Sequence, residues 1–456
     1  MEVQDNNMEE NKIVLNEDQT NALEKLTEFI KFDQEHSMAL LEGCAGSGKT
    51  TLIQFLIKRA LEETMQPTIA MVGPTHKSVK VMKEMCPEDL KGKISFSTLH
   101  SLLGLKHNIT KDGKEIYVRD PKVMSKFPFF KIIIIDEASM IADQLFDEIV
   151  SQNYNGKIIF IGDSNQINPV NHPHSIPMLE SGRKDFKILH YKLTKIVRQA
   201  ADNPIIKFSQ QVLNNEFKYE AGYSEMMDEE AGIVMLNTKQ AGLISEILKH
   251  YFCSEKFDKD SNYCRLIAWR NATVDQFNKN IRIHKYGINA PKIVVGEKLI
   301  VDRPIKNLDD GSEILFHTNE DLIVKQVNVI TKKLYDATYT IYEVLVDGDD
   351  TSGLIHILHE NSTKIYNINL KKFADDAKSE SGSYERVKKW RKYFEFMENF
   401  AQVNYGYAQT VHTSQGSTYE NCFVVYSDII ANSNEKEQDR ILYTAITRPR
   451  KMLYIM

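Results

Sequence analysis

Apolar residues along this chain fall in short unbroken runs separated by longer amphipathic stretches. Met38-Ala39-Leu40-Leu41, Ile69-Ala70-Met71-Val72, Ile132-Ile133-Ile134-Ile135 and Ile158-Ile159-Phe160-Ile161 are four such runs. A continuous run of this length reads as a strand buried on both faces, as in a parallel sheet. The stretches between them, such as Thr51-Leu52-Ile53-Gln54-Phe55-Leu56-Ile57-Lys58, read as helices with one apolar face. The same alternation resumes at Cys264-Arg265-Leu266-Ile267-Ala268, followed by a helix over 273–286. It ends with strands over 422–426 and 452–456. From 292 to 373 the pattern changes to short β-like runs, including Lys298-Leu299-Ile300-Val301 and Leu354-Ile355-His356-Ile357-Leu358. Asp309-Asp310-Gly311 and Asp347-Gly348-Asp349-Asp350 act as turn signals between them. The expectation is a small β-barrel inserted into the second α/β domain, then one charged and aromatic helix over 383–401. Within 105–119, Asp112-Gly113 lies between two weakly alternating arms and predicts a β-hairpin inserted into the first α/β domain.

The strand ends carry the chemistry. Gly43-Cys44-Ala45-Gly46-Ser47-Gly48-Lys49-Thr50-Thr51 follows the first strand, opens a helix and fits G-x-x-x-x-G-K-[ST]. Its glycines let backbone N–H groups face phosphate oxygens, and the helix N-terminus adds positive potential there. Lys49 would reach the β- and γ-phosphates, and the Thr50 hydroxyl would sit on Mg²⁺. The run 132–135 ends in Asp136-Glu137. Asp136 suits Mg²⁺, and Glu137 suits the orientation and deprotonation of the attacking water. The next strand ends in Gly162-Asp163-Ser164-Asn165-Gln166, where Gln166 is placed to meet the γ-phosphate or that water. Gln19, near the start of a helix capped by Asn16, has two readings: an adenine contact or a solvated helix residue. Arg198 likewise reads as a γ-phosphate ligand or as a surface ion pair. Thr75 and Thr98 each read as a helix cap or as part of a ligand-binding strand end.

Composition narrows the class. Hydrophobic content of 42% and charged content of 26% over 456 residues suit a globular enzyme of two to four domains. A net charge of -6 leaves room for a local basic groove only. Five scattered cysteines without C-x-x-C argue against a disulfide framework or a zinc site and suit a reducing compartment. Residues 1–11 are polar and acidic, read as a disordered tail and do not form a signal peptide. No apolar run approaches membrane-spanning length.

Taken in order, these motifs resemble those of the superfamily 1 helicases, in particular the RecD-like, B-type branch. The resemblance rests on Gln19, Gly43 to Thr51, Pro74-Thr75-His76, Ser97-Thr98-Leu99-His100, Asp136-Glu137, Gly162 to Val170, Arg198, Val411-His412-Thr413-Ser414-Gln415-Gly416 and Tyr443 to Arg448. It implies two RecA-like P-loop NTPase domains, 12–200 and 201–291 with 402–456, around a cleft for Mg²⁺-ATP. The hairpin, about 103–123, resembles a duplex-splitting pin, with Tyr117 as its stacking aromatic. The segment 292–401 resembles an SH3-like insertion plus a helix, which would pack on the pin or on its own domain. Arg448 would be the arginine finger and Arg198 its partner. Gln415 and Gly416 would couple nucleotide to DNA. Pro74, Thr75, His76, Thr98, His100, Asn271, His412, Thr413 and Ser414 would grip single-stranded DNA.

The expected function is an ATP-dependent DNA helicase moving 5′→3′, in replication, recombination or repair. It would act on single strands and duplex junctions as a cytoplasmic monomer. An RNA helicase or a translocase without strand separation fits the same motifs. An ATP-gated binding switch does not need Glu137 and Arg448.

Overall fold

The computed structural model describes residues 14–62, 67–120, 122–152, 154–197, 203–308 and 313–456. The tail 1–11 and the turn Asp309-Asp310-Gly311 lie outside the described residues. A six-stranded parallel sheet forms the first lobe. Its order is Ile94–Thr98, Ile69–Gly73, Ile132–Ile135, Lys157–Gly162, Met38–Gly43, Ile188–Leu193. The period of two explains the unbroken apolar runs. Ile132 and Ile134 enter one core with Leu52, Ile53 and Leu56 of the helix Lys49–Leu61. Ile133 and Ile135 enter the other with Leu102, Phe146 and Ile149. Helices therefore cover both faces, and the polar residues are left at the strand ends.

A second sheet follows the same rule. Its order is Ala408–Thr410, Cys264–Ala268, Tyr419–Val424, Pro449–Ile455, Gly232–Met235, Ser224–Met226. Only the edge strand Ser224–Met226, within a stretch that reads as polar and acidic, is antiparallel. Between these strands the chain builds a five-stranded antiparallel sheet. Its order is Ser352–Leu358, Ala337–Asp347, Asp321–Leu334, Lys298–Val301, Val403–Tyr405. The returning chain adds the last strand, pairing Leu299 with Tyr405 and Val301 with Val403.

One expectation about this segment fails. The β-like pattern reaches residue 373, but Thr363–Ser379 is a helix, packed against a second helix, Ser383–Glu398. Tyr366, Ile368 and Leu370 imitate strand spacing, yet Ile368 is exposed. The stripe that matters is Tyr366, Leu370, Phe373 and Ala377, at helical spacing, against Phe396, Phe400 and Trp390. The second helix packs in both of the expected ways. Phe396, with Phe400 just beyond the helix, faces its own unit, while Trp390 and Phe394 meet Ile109 and His107 of the hairpin.

That hairpin pairs Leu105–Ile109 with Glu115–Arg119. Gly113 turns its tip at φ +74°, and a Cβ there would lie 2.6 Å from the Trp390 ring. Tyr117 is level with His107, in the middle of the returning arm. The register thus places Tyr117, the expected stacking aromatic, outside the turn. Among the described residues no helix is long and apolar enough to cross a membrane.

Candidate active site at the lobe interface

The phosphate-binding loop joins the strand Met38–Gly43 to the helix Lys49–Leu61. Gly46 and Gly48 adopt φ +77° and +79°, a backbone region that side chains oppose. No side chain caps this helix, so its first N–H groups are available to an anion. Gln19 is not the solvated residue of the second reading. It is 3% exposed, its Nε2 donates to the Ser47 carbonyl at 3.0 Å, and its Oε1 accepts the Asn16 N–H at 2.9 Å. Gln19 thus braces the loop from behind. Lys49 Nζ donates to the carbonyls of Gly43 and, at 3.1 Å, of Cys44.

Asp136 and Glu137 stand at the end of the central strand. Glu137 is left-handed, at φ 51°, a conformation that costs a non-glycine residue free energy and is concentrated at functional sites. Burial pushes both carboxyls above their ordinary range. Asp136 raises Glu137 further, against the pull of Arg448 and Lys49. A carboxylate kept basic in this way suits a general base. Gln166 is 8% exposed, and its Oε1 has no protein partner among the described residues.

The second lobe supplies the facing wall. Arg448 is 6% exposed; its Nε donates to the Thr444 carbonyl at 2.8 Å and its Nη2 to Thr447 Oγ1 at 3.1 Å. Gln415 Nε2 donates to the Ile167 carbonyl at 3.2 Å, and Gly416 turns at φ +70° beside Ser78. A cavity of about 270 Å³ is lined by Lys49, Thr50, Asp136, Glu137 and Gln166 from one lobe and by Gly416 and Arg448 from the other. Thr50 and Asp136 offer it an all-oxygen donor set, which fits Mg²⁺. Ala45 also lines the cavity. Arg198 lies outside the described residues.

The strand-end surface separates into usable and committed groups. His76 is exposed and stacks on His317 of the inserted unit, with centroids 3.4 Å apart. His100 lies 4.5 Å from Tyr117. Asn271 is exposed at the start of its helix, and Pro74, Thr75, His412 and Thr413 are half-buried. The Thr75 hydroxyl accepts the Ser78 N–H at 3.1 Å as a cap. Two of the expected DNA contacts are buried. Thr98 is 6% exposed with its hydroxyl capping the next helix, and Ser414 is fully buried and donates to the Val411 carbonyl. Both hydroxyls, like that of Thr75, bond local backbone groups.

Sequence reasoning did not single out Asp163, Tyr443 or Arg440, which join the lobes. Asp163 and Tyr443 lie inside matched motifs, so a signal existed, but their pairing is set by folding alone.

Comparison with known proteins agrees with this geometry. An AAA domain family model matches residues 14–230, and a UvrD-like helicase C-terminal domain model matches 405–456. An uncharacterized protein of Acanthamoeba polyphaga mimivirus is 27% identical, over 95% of this chain and 97% of its own length. The ATP-dependent DNA helicase dda of Enterobacteria phage T4 is 27% identical, over 96% of this chain and 98% of its own. The RecBCD enzyme subunit RecD of Buchnera aphidicola subsp. Acyrthosiphon pisum is 24% identical, over 92% of this chain and 70% of its own. With its phosphate loop, carboxylate pair and facing arginine in one cleft, the chain matches the AAA and UvrD-like helicase C-terminal models in its two lobes and is similar along most of its length to the helicases Dda and RecD.

Proposed function

We propose that this protein is an ATP-dependent DNA helicase that moves 5′→3′ on single-stranded DNA and separates duplexes. The observation that carries the reading is the division of one hydrolytic set between two lobes. Lys49, Thr50, Asp136, Glu137 and Gln166 come from the first, and Arg448 from the second. Hydrolysis in such a cleft changes the contacts between the lobes, so each turnover is coupled to their relative motion.

The chemistry follows from the residues. Lys49 and the loop amides hold the phosphates, while Glu137 accepts a proton from the attacking water and Gln166 orients it. Arg448 stabilises charge on the transferred phosphoryl group. Mg²⁺ held by Thr50 and Asp136 would neutralise phosphate charge. Pro74, Thr75, His76, His100, Asn271, His412 and Thr413 at the strand ends of both lobes are the proposed strand-binding surface, and alternating grip there turns closure into steps. The hairpin 105–119 is proposed as the pin, braced at its tip by Trp390, and the five-stranded unit as its SH3-like support.

The test is unwinding of a short duplex with a single-stranded tail at its 5′ or its 3′ end, with ATP and Mg²⁺. Lys49→Ala is the inactive control. Release from the 5′-tailed substrate alone is expected. Release from the 3′-tailed substrate would overturn the direction, and release from neither would reduce the reading to a translocase.

A further inference from the structure

The helix Glu435–Ile446 of the second lobe is docked on the phosphate loop and on loop 163–168 of the first. Thr444 Oγ1 accepts the Ile167 N–H at 3.1 Å, and Arg440 Nη1 donates to Asn168 Oδ1 at 2.6 Å. Tyr443 reaches further. Its side chain is fully buried, and its hydroxyl accepts the Ala45 N–H at 2.8 Å and donates to Asp163 Oδ2 at 2.6 Å. Asp163 is 1% exposed, and its other oxygen accepts the Asn165 N–H at 3.0 Å. One hydroxyl thus ties a phosphate-loop amide to a buried carboxylate across the lobe interface.

The position of Ala45 gives that tie a meaning. The amides at Gly48, Lys49 and Thr50 belong to the helix N-terminus, whereas Ala45 sits earlier in the loop. Asp163 and Ala45 line the same cavity as Gln166 and Glu137, the proposed base. The Tyr443 hydroxyl therefore lies on the side of the loop where the attacking water and the outermost phosphate belong. A loop amide has one hydrogen to donate, so the hydroxyl and a phosphate oxygen cannot both hold it.

We infer that Tyr443 is a positioning residue that reads the γ-phosphate: a triphosphate takes the Ala45 N–H from its hydroxyl, and a diphosphate leaves the tie in place. The exchange releases the helix that leads into Arg448 at the moment when that guanidinium is needed. It rests on the ATP-hydrolysing reading of the cleft.

Tyr443→Phe removes the hydroxyl and keeps the ring. Binding of ATPγS and of ADP is measured for the wild type and the variant, with kcat and KM for ATP at saturating single-stranded DNA. The expected result is ATPγS binding about 3- to 10-fold tighter in the variant, the range one hydrogen bond commonly sets. ADP binding is expected to stay within twofold, and DNA-stimulated kcat to fall. A purely structural role would shift both nucleotides together, and that result, or an unchanged ATPγS-to-ADP ratio, overturns the inference. If Tyr443→Phe does not fold, Tyr443→Met gives the same comparison without a hydroxyl. A wild type that hydrolyses no ATP would overturn the reading of the cleft and this inference with it. A wild type that hydrolyses ATP beside a variant with the wild-type ratio would overturn this inference alone.

Discussion

Asp321 is the residue on which the three parts of the chain meet. It belongs to the inserted unit and accepts from Lys77 of the first lobe at 3.1 Å and from Arg265 of the second at 2.8 Å. The side chains are 11%, 14% and 1% exposed. Lys77 and Arg265 also lie beside the Tyr419 ring, and the Tyr419 hydroxyl accepts from Gln409 Nε2 at 2.6 Å. Burial alone would raise the Asp321 carboxyl, but Arg265 and Lys77 outweigh it and hold it at about 2. At about 3 Å and an effective dielectric near 20, each pair is attractive by about 5 kcal/mol before desolvation is subtracted. The two ways of cutting the cluster should therefore differ. Asp321→Asn leaves two cations buried side by side and should cost about 3–5 kcal/mol. Lys77→Met leaves the Arg265–Asp321 pair neutral overall and should cost about 1–2 kcal/mol. In thermal unfolding this means a fall in Tm of about 6–10 °C for Asp321→Asn against about 2–4 °C for Lys77→Met. The gap should persist at 1 M salt, because buried pairs are poorly screened. Equal losses, or two variants indistinguishable from wild type, would refute this account of the junction.

Other expectations are as specific. Arg448→Ala should lower kcat for ATP by about 10³-fold with a much smaller change in KM, and a loss below tenfold in steady-state ATPase assays would remove it as the finger. Glu42 is buried, and although burial raises its carboxyl, His190, Ser164 and Lys192 bring it down to about 2. A depressed carboxyl stabilises the fold above its unfolded value near 4.5 and loses that contribution as pH falls toward 2. Glu42→Gln should accordingly flatten the loss of Tm between about pH 5 and pH 2, and an unchanged acid limb would count against it. Gly113→Val should meet both a positive φ and the Trp390 ring. It should cut strand separation at least fivefold while single-strand-stimulated ATPase stays within twofold, and parallel losses in the two assays would argue against a pin.

Local pattern and local chemistry were legible without a fold. The phosphate loop, the carboxylates after 132–135 and the strands themselves are each set by a few consecutive residues, since backbone geometry and period-two burial act over that range. Where local signals competed, the sequence misled. Tyr366, Ile368 and Leu370 suggest a strand, and only packing against Phe396 and Trp390 selects the helix. Thr98 and Ser414 looked available until the fold committed their hydroxyls. The tertiary structure alone decided Gln19 behind the loop, Tyr443 on Ala45 and Asp163, and Asp321 between Lys77 and Arg265. These partners stand 28 to 398 positions apart in the chain. A hydroxyl, an amide or a carboxylate carries no record of its partner in its neighbours. That choice is made when burial leaves it one group within reach, and leaving a buried polar group unpaired costs more than the bond itself contributes.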